Sequence, residues 1–259
     1  MDLGITGRRA IVAASSAGLG YACARSLAHE GVHVVLNGRD PERLDSAART
    51  LRDEVESTVS TVAGDIAEPT TRSALLAACP APDILVTNNG GPDPGQFQQW
   101  DRDDWIGAVD ANLIAPLLLI REVIDGMVER RFGRIVNITS AMVKAPRSPM
   151  GLSSAARTGL TSVVKGLSVD VAAANVTINN LLPERIDTGR QRQMAELAVS
   201  FKGITLDEAY AEIAATIAAG RLGRPEEFGD ACAFLCSAQA GYLSGQSIAL
   251  DGGTYGGLW

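Results

Sequence analysis

The stretch Ala14-Ser15-Ser16-Ala17-Gly18-Leu19-Gly20 is the first in the chain whose residue order implies chemistry. It follows a short apolar run, Arg9 to Ala14, and opens a segment that reads as a helix to about Glu30. Gly18 and Gly20 let backbone approach a diphosphate, and a helix start offers free N–H groups and the positive end of its dipole. Gly-x-Gly also simply ends many strands. Between a first strand and a first helix it indicates dinucleotide binding. Cys232 and Cys236, four apart on a predicted helix, are the other ligand-type pair. No second Cys or His pair stands near them, and the chain's histidines are His29 and His33. Together with Cys23 and Cys79 they read as core thiols, not as a metal site or a disulfide framework.

These residues need a scaffold. The chain has 259 residues, 46% hydrophobic and 20% charged, with a net charge of −7. That balance excludes wholesale disorder and disfavours nucleic acid or anionic membrane surfaces as partners. No apolar run approaches the roughly 18 residues of a membrane span, and the start lacks a basic segment followed by an apolar one, so a cytoplasmic protein is expected. Strands are predicted at Arg9–Ala14, Val32–Leu36, Val59–Ala63, Asp83–Thr87, Arg134–Thr139, Val176–Leu182 and Ser247–Leu250. Between them lie helices from Pro41 to about Glu54, through Leu113, Leu117, Ile120 and Ile124, from about Ser153 to Ala173, and from Pro225 to Ser237. Asp40 is placed to cap the helix that Pro41 starts. Val-, Ile- and Leu-rich strands alternating with helices predict α/β architecture: a doubly wound, Rossmann-type parallel sheet with helices on both faces, in a single domain over residues 1–259. In such sheets ligands sit at the carboxyl edge of the strands.

The chain resembles the short-chain dehydrogenase/reductase family over essentially its whole length. The family's Thr-Gly-x-x-x-Gly-x-Gly turn is matched from Ala13 to Gly20, with Ala14 where the first glycine belongs. Asp65, followed by Ile66, stands where the family has an adenine-binding Asp. Thr87-Asn88-Asn89-Gly90 stands for Asn-Asn-Ala-Gly, Asn112 for the active-site Asn and Ser140 for the catalytic Ser. Pro183-Glu184-Arg185-Ile186-Asp187-Thr188 resembles the segment lining the nicotinamide. Arg221-Leu-Gly-Arg-Pro-Glu-Glu and Leu243 to Gly253 resemble the family's ending. The resemblance implies a cofactor site built from Ala14, Ser16, Gly18, Leu19, Gly20, Asp65, Ile66, Asn88, Gly90, Pro183, Ile186 and Thr188. At the end of the second strand, Leu36-Asn37-Gly38-Arg39-Asp40 has glycine where NAD-preferring relatives carry Asp. Arg39, helped by Asn37, can pair with a 2′-phosphate, which makes NADP(H) the expected cofactor. The other reading of Arg39 is a cap on a surface turn.

The family's chemistry needs a Tyr thirteen residues after the Ser and a Lys four beyond it. Counting from Ser140 gives Ser153 and Arg157, and no Tyr lies between Ala141 and Leu160. Gly159-Leu160, and Leu160, Val163, Val164, Leu167 and Val171 along one helix face, fix the frame. A positioned general acid contributes about 10²- to 10⁴-fold. Three replacements are open. Ser140 and Ser153 relay a proton while Arg157, one turn on, stabilises the oxyanion; this set is favoured. Alternatively, Glu184 acts with a raised pKa, or else it pairs with an arginine or faces solvent. Thirdly, Tyr210 or Lys202 arrives with a substrate lid over about 188–220.

Lys144, Arg147, Arg157 and Arg185 suggest an anionic substrate, or are isolated rim charges. The resemblance implies an NADP(H)-dependent oxidoreductase acting on a small-molecule carbonyl or secondary alcohol, like 3-oxoacyl-acyl-carrier-protein reductases. The alternative is a catalytically impaired sensor of NADP(H) or a metabolite. It also implies a homotetramer (or homodimer), with Trp259 as a candidate anchor.

Overall fold

Side chains along a strand alternate between its two faces. In β1 (Arg9–Val12), Ala10 and Val12 enter one core while Ile11 enters another, joined by Ala13 just beyond the strand. A strand apolar on both sides needs cover on both faces. The computed structural model, which describes residues 2–258, supplies it. Six further strands follow: β2 (His33–Gly38), β3 (Val59–Ala63), β4 (Ile84–Thr87), β5 (Gly133–Ile138), β6 (Val176–Pro183) and β7 (Ser247–Leu250). All pair in parallel, in the order β3-β2-β1-β4-β5-β6-β7. The order reverses between β1 and β4, so the crevice opens beyond the carboxyl ends of those strands.

Helices α1 (Gly18–His29), α2 (Pro41–Glu54) and α9 (Pro225–Cys236) cover one face. Helices α3 (Pro69–Ala78), α5 (Ala115–Glu129) and α6 (Gly151–Val171) cover the other. Asp40 caps α2 as expected, accepting from the N–H groups of Glu42 and Arg43 at 3.0 and 3.1 Å. Cys23, Cys232 and Cys236 are fully buried in the first core.

Sequence periodicity did not reveal α3, α4 (Arg102–Val109), α7 (Gly189–Lys202) or α8 (Leu206–Ala215). Val163, expected on the buried face of α6, is instead 49% exposed, because Leu160, Val164, Ser168 and Val171 form the face against the sheet. Trp259 lies outside the described residues. Among the described residues no helix is long and apolar enough to cross a membrane.

A buried polar ladder crosses the sheet near the crevice. Thr87 Oγ1 donates to Asn137 Oδ1 (2.6 Å), Asn137 Nδ2 to Asn180 Oδ1 (3.1 Å), and Asn180 Nδ2 to Ser247 Oγ (3.3 Å). These residues are direct cross-strand neighbours, so their buried polar groups satisfy one another and hold the strand ends in register.

Candidate active site

The turn after β1 is tied down from both sides. Asn37 Oδ1 accepts from Ala14 N (3.3 Å), and Asn88 Nδ2 donates to Ala14 O (3.2 Å). Between these amides Ala14 is held at φ +44°, in the left-handed region that the family's glycine would occupy without strain. The alanine therefore preserves the turn at a conformational cost. A Cβ on Gly20 would lie 2.3 Å from Ala14 O, so glycine is required there for α1 to approach β1. No side chain caps α1, whose first N–H groups face the crevice floor.

A cavity of about 730 Å³ runs from this turn to α6. At one end it is lined by Gly38, Arg39, Arg43, Gly64, Asp65 and Ile66. The Arg39 side chain is 73% exposed, makes no hydrogen bond to the described residues, and has Asp65 Oδ2 3.9 Å away. It caps no turn. Asn37 also lines the cavity. Its Nδ2 donates to the carbonyls of Val62 and Gly64, both at 3.0 Å, so its buried amide braces β2, β3 and the turn instead of reaching outward. Ser16, Gly18, Leu19, Asn88, Gly90, Pro183 and Thr188 also line the cavity, whereas Gly20, Asn112 and Ile186 stand behind its wall. Ile186 belongs to the core.

Ser140, Ser153 and Arg157 line the same cavity. Arg157 lies one helical turn after Ser153, and its Nε donates to Ser153 Oγ at 3.2 Å. Its Nη1 donates to the carbonyls of Ile138 (2.8 Å) and Thr139 (3.2 Å), and its Nη2 to that of Asn89 (3.2 Å). This guanidinium is buried with no carboxylate in ion-pair range among the described residues, and desolvation lowers its pKa to about 10. It is a charged group at physiological pH, solvated by backbone carbonyls. Ser140 Oγ accepts from Met142 N (3.2 Å), and no hydrogen bond joins it to Ser153 among the described residues. Asn112 sits on a π-helical turn, Asp110–Ile114, with Nδ2 3.4 Å from the carbonyls of Gly90 and Ala108 and Oδ1 without a partner among the described residues.

The alternative acids stand elsewhere. Glu184 pairs with Arg147 at 2.8 Å, and Lys202 with Glu212. Neither Tyr210 nor Lys202 lines the cavity, and nor does Arg185. Sequence reasoning missed Arg43, Met150, Arg190 and Gln193 as lining residues. Arg43 could have been found, since it is four residues from Arg39 at the start of a helix that Asp40 announces. Arg190 of α7 reaches across to the loop after β4, with Nη1 2.8 Å from Asp93 Oδ1 and Nη2 3.1 Å from Pro92 O.

Comparison with known proteins fits this geometry. The family described as "Enoyl-(Acyl carrier protein) reductase" matches residues 13–255. The NADPH-dependent reductase BacG of Bacillus subtilis is 31% identical over 252 residues, covering 95% of this chain and 97% of that one. Dehydrogenase/reductase SDR family member 4 of Bos taurus is 33% identical over 251 residues, covering 95% and 86%. The solved structure of L-sorbose reductase from Gluconobacter frateurii, complexed with NADPH and L-sorbose, superposes with a TM-score of 0.94 at 29% identity over the whole of both chains. A glycine-bearing turn at the strand-order reversal, matched end to end by such relatives, makes the chain a member of the short-chain dehydrogenase/reductase family.

Proposed function

We propose that the chain, acting as one domain over residues 1–259, is an NADP(H)-dependent oxidoreductase that reduces a carbonyl or oxidises a secondary alcohol through a non-standard active site. The observation that carries this reading is a single cavity joining a helix start without a side-chain cap, an exposed arginine at the end of β2 whose one ionic neighbour among the described residues is Asp65 at 3.9 Å, and the Ser153–Arg157 pair. The residues fit the cofactor. The turn of residues 14–20 and the start of α1 would take the diphosphate, and Arg39 with Arg43 the 2′-phosphate. Asp65 and Ile66 would hold the adenine, and Pro183 and Thr188 the nicotinamide. NADPH bound there supplies hydride.

The chain's own task is then to meet the charge that develops on the substrate oxygen. Ser153 Oγ accepts a hydrogen bond from a cation, which makes its O–H a better donor, and that hydrogen has no acceptor among the described residues. The buried Arg157 charge, with no carboxylate in ion-pair range among the described residues, stabilises negative charge nearby. Ser140 Oγ holds a second proton in the same cavity. Because both hydroxyls ionise far less readily than a phenol, they donate hydrogen bonds and pass protons from water. Residues 188–220 form the lid, latched by Arg190 to Asp93.

The test is NADPH oxidation with a panel of ketones, aldehydes and conjugated carbonyls. Turnover that Ser153→Ala lowers while NADPH affinity is unchanged supports the reading. Absence of turnover in both the native protein and the Ser153→Tyr/Arg157→Lys variant, with NADPH still bound, favours the second reading, a cofactor-binding sensor. The observation behind that second reading is the absence of the phenol itself.

A further inference from the structure

Behind the cleft lies a second cavity, of about 230 Å³, that the chemistry above does not use. A thin wall separates the two. Ser140 and Pro183 line the cleft, while their neighbours Ala141 and Glu184 line the inner chamber. Ala145 and Ala249 give it apolar sides, and Tyr255 contributes an aromatic ring from the carboxyl-terminal segment.

Four charged side chains reach this chamber, and three of them are accounted for. Glu184, with its side chain 10% exposed, is paired with Arg147 at 2.8 Å. Asp251 is buried and spends its carboxylate on backbone, accepting from Gly253 N and Tyr255 N, both at 2.9 Å. Lys144 has no carboxylate within ion-pair distance among the described residues. Its Nζ stands 5.5 Å from the centroid of the Tyr255 ring. Among the described residues the chamber therefore holds one cation without a carboxylate partner, beside an aromatic ring and alanine walls.

We propose that this chamber is an accessory binding site for a small organic monocarboxylate with a flat apolar body. The carboxylate is taken by the Lys144 ammonium, and the body lies between Tyr255 and the alanines. A cationic ligand is disfavoured because both acidic groups already have their donors. The size agrees, since the volume lies below the range of about 300–1,000 Å³ typical of drug-sized ligands. The site is separate from the cofactor cleft and does not depend on the reaction proposed for it.

The probe is benzoate, titrated by calorimetry into the full chain with and without NADPH, and benzamide is its neutral isostere. The expected result is one benzoate per chain, bound independently of NADPH. A charge-assisted hydrogen bond makes Lys144→Met, or the change to benzamide, weaken binding by about 10- to 100-fold. Ala145→Leu, which fills the chamber while leaving Lys144 in place, should abolish binding, and it carries the test if Lys144→Met does not fold. Benzoate that fails to bind, binds as well as benzamide, survives Ala145→Leu, or competes with NADPH overturns the proposal.

Discussion

Ala14 offers the sharpest quantitative test of the nucleotide turn. Its φ of +44° places an L-residue in left-handed backbone, where the Cβ crowds the following carbonyl at a cost of roughly 1–2 kcal/mol. Ala14→Gly removes that cost but gives the unfolded chain more freedom, which offsets about 0.4–1 kcal/mol. The net is a stabilisation of about 0.8 kcal/mol. At about 2–4 °C per kcal/mol for a chain of this size, Tm should rise by about 2–3 °C. Scanning calorimetry at fixed protein concentration reads this directly, with Ala14→Val as the opposite control, since a β-branched side chain at positive φ should lower Tm. Asn37 and Asn88 hold Ala14 through its backbone, so the glycine variant should keep NADPH affinity. A fall in Tm for Ala14→Gly would refute the reasoning, because it requires that residue 14 not be left-handed in the folded protein.

Other outcomes follow from the same cavity. Arg39→Ala should weaken NADPH binding by about 10- to 100-fold through loss of a charge-assisted contact, with NADH little changed; fluorescence titration checks it. Arg157 keeps its charge up to a pKa of about 10, and neither serine titrates near neutrality. The reduction rate should thus be flat from about pH 6 to about pH 9 and fall above about pH 10 as the cation is lost, and a pH–rate profile with a neutral inflection would argue for another acid. Ser153→Tyr/Arg157→Lys should raise the rate of carbonyl reduction, by up to about 10²-fold, in a single-turnover assay. Arg190→Ala should change stability by no more than about 1 kcal/mol, because the Asp93 pair is exposed, yet speed NADPH release in stopped-flow.

The elements that bear the site were readable because they combine unbroken apolar strands with punctuation: the glycines at 18 and 20, Pro41 behind Asp40, and Pro225. What escaped has physical reasons. Helices α3, α4 and α7 present little continuous apolar face, so periodicity carries a weak signal, whereas α8 carries Leu206, Ala209, Tyr210 and Ile213 at helical spacing behind a Thr205–Glu208 capping box, a signal that was legible and passed over. Asn37 stands two residues before Arg39, but it is still inside β2, where its amide is taken up by the carbonyls of Val62 and Gly64, a contact that exists only once β3 is paired, whereas Arg39 lies just past the strand end. Ser153 and Arg157 were reached by counting from Ser140. Counting could not show that the guanidinium would be spent on three backbone carbonyls, since those carbonyls come from the ends of β4 and β5. Lys144 and Arg147, three apart in sequence, separate in the same way: Arg147 meets Glu184, while Lys144 faces Tyr255.

The central claim is that the cleft beyond β1 and β4 is an NADP(H) site. Calorimetric titration of the purified protein with NADPH and with NADH tests it most directly. The account predicts one NADPH per chain, bound more tightly than NADH by a margin that Arg39→Ala removes. A folded protein that binds neither nucleotide would contradict it.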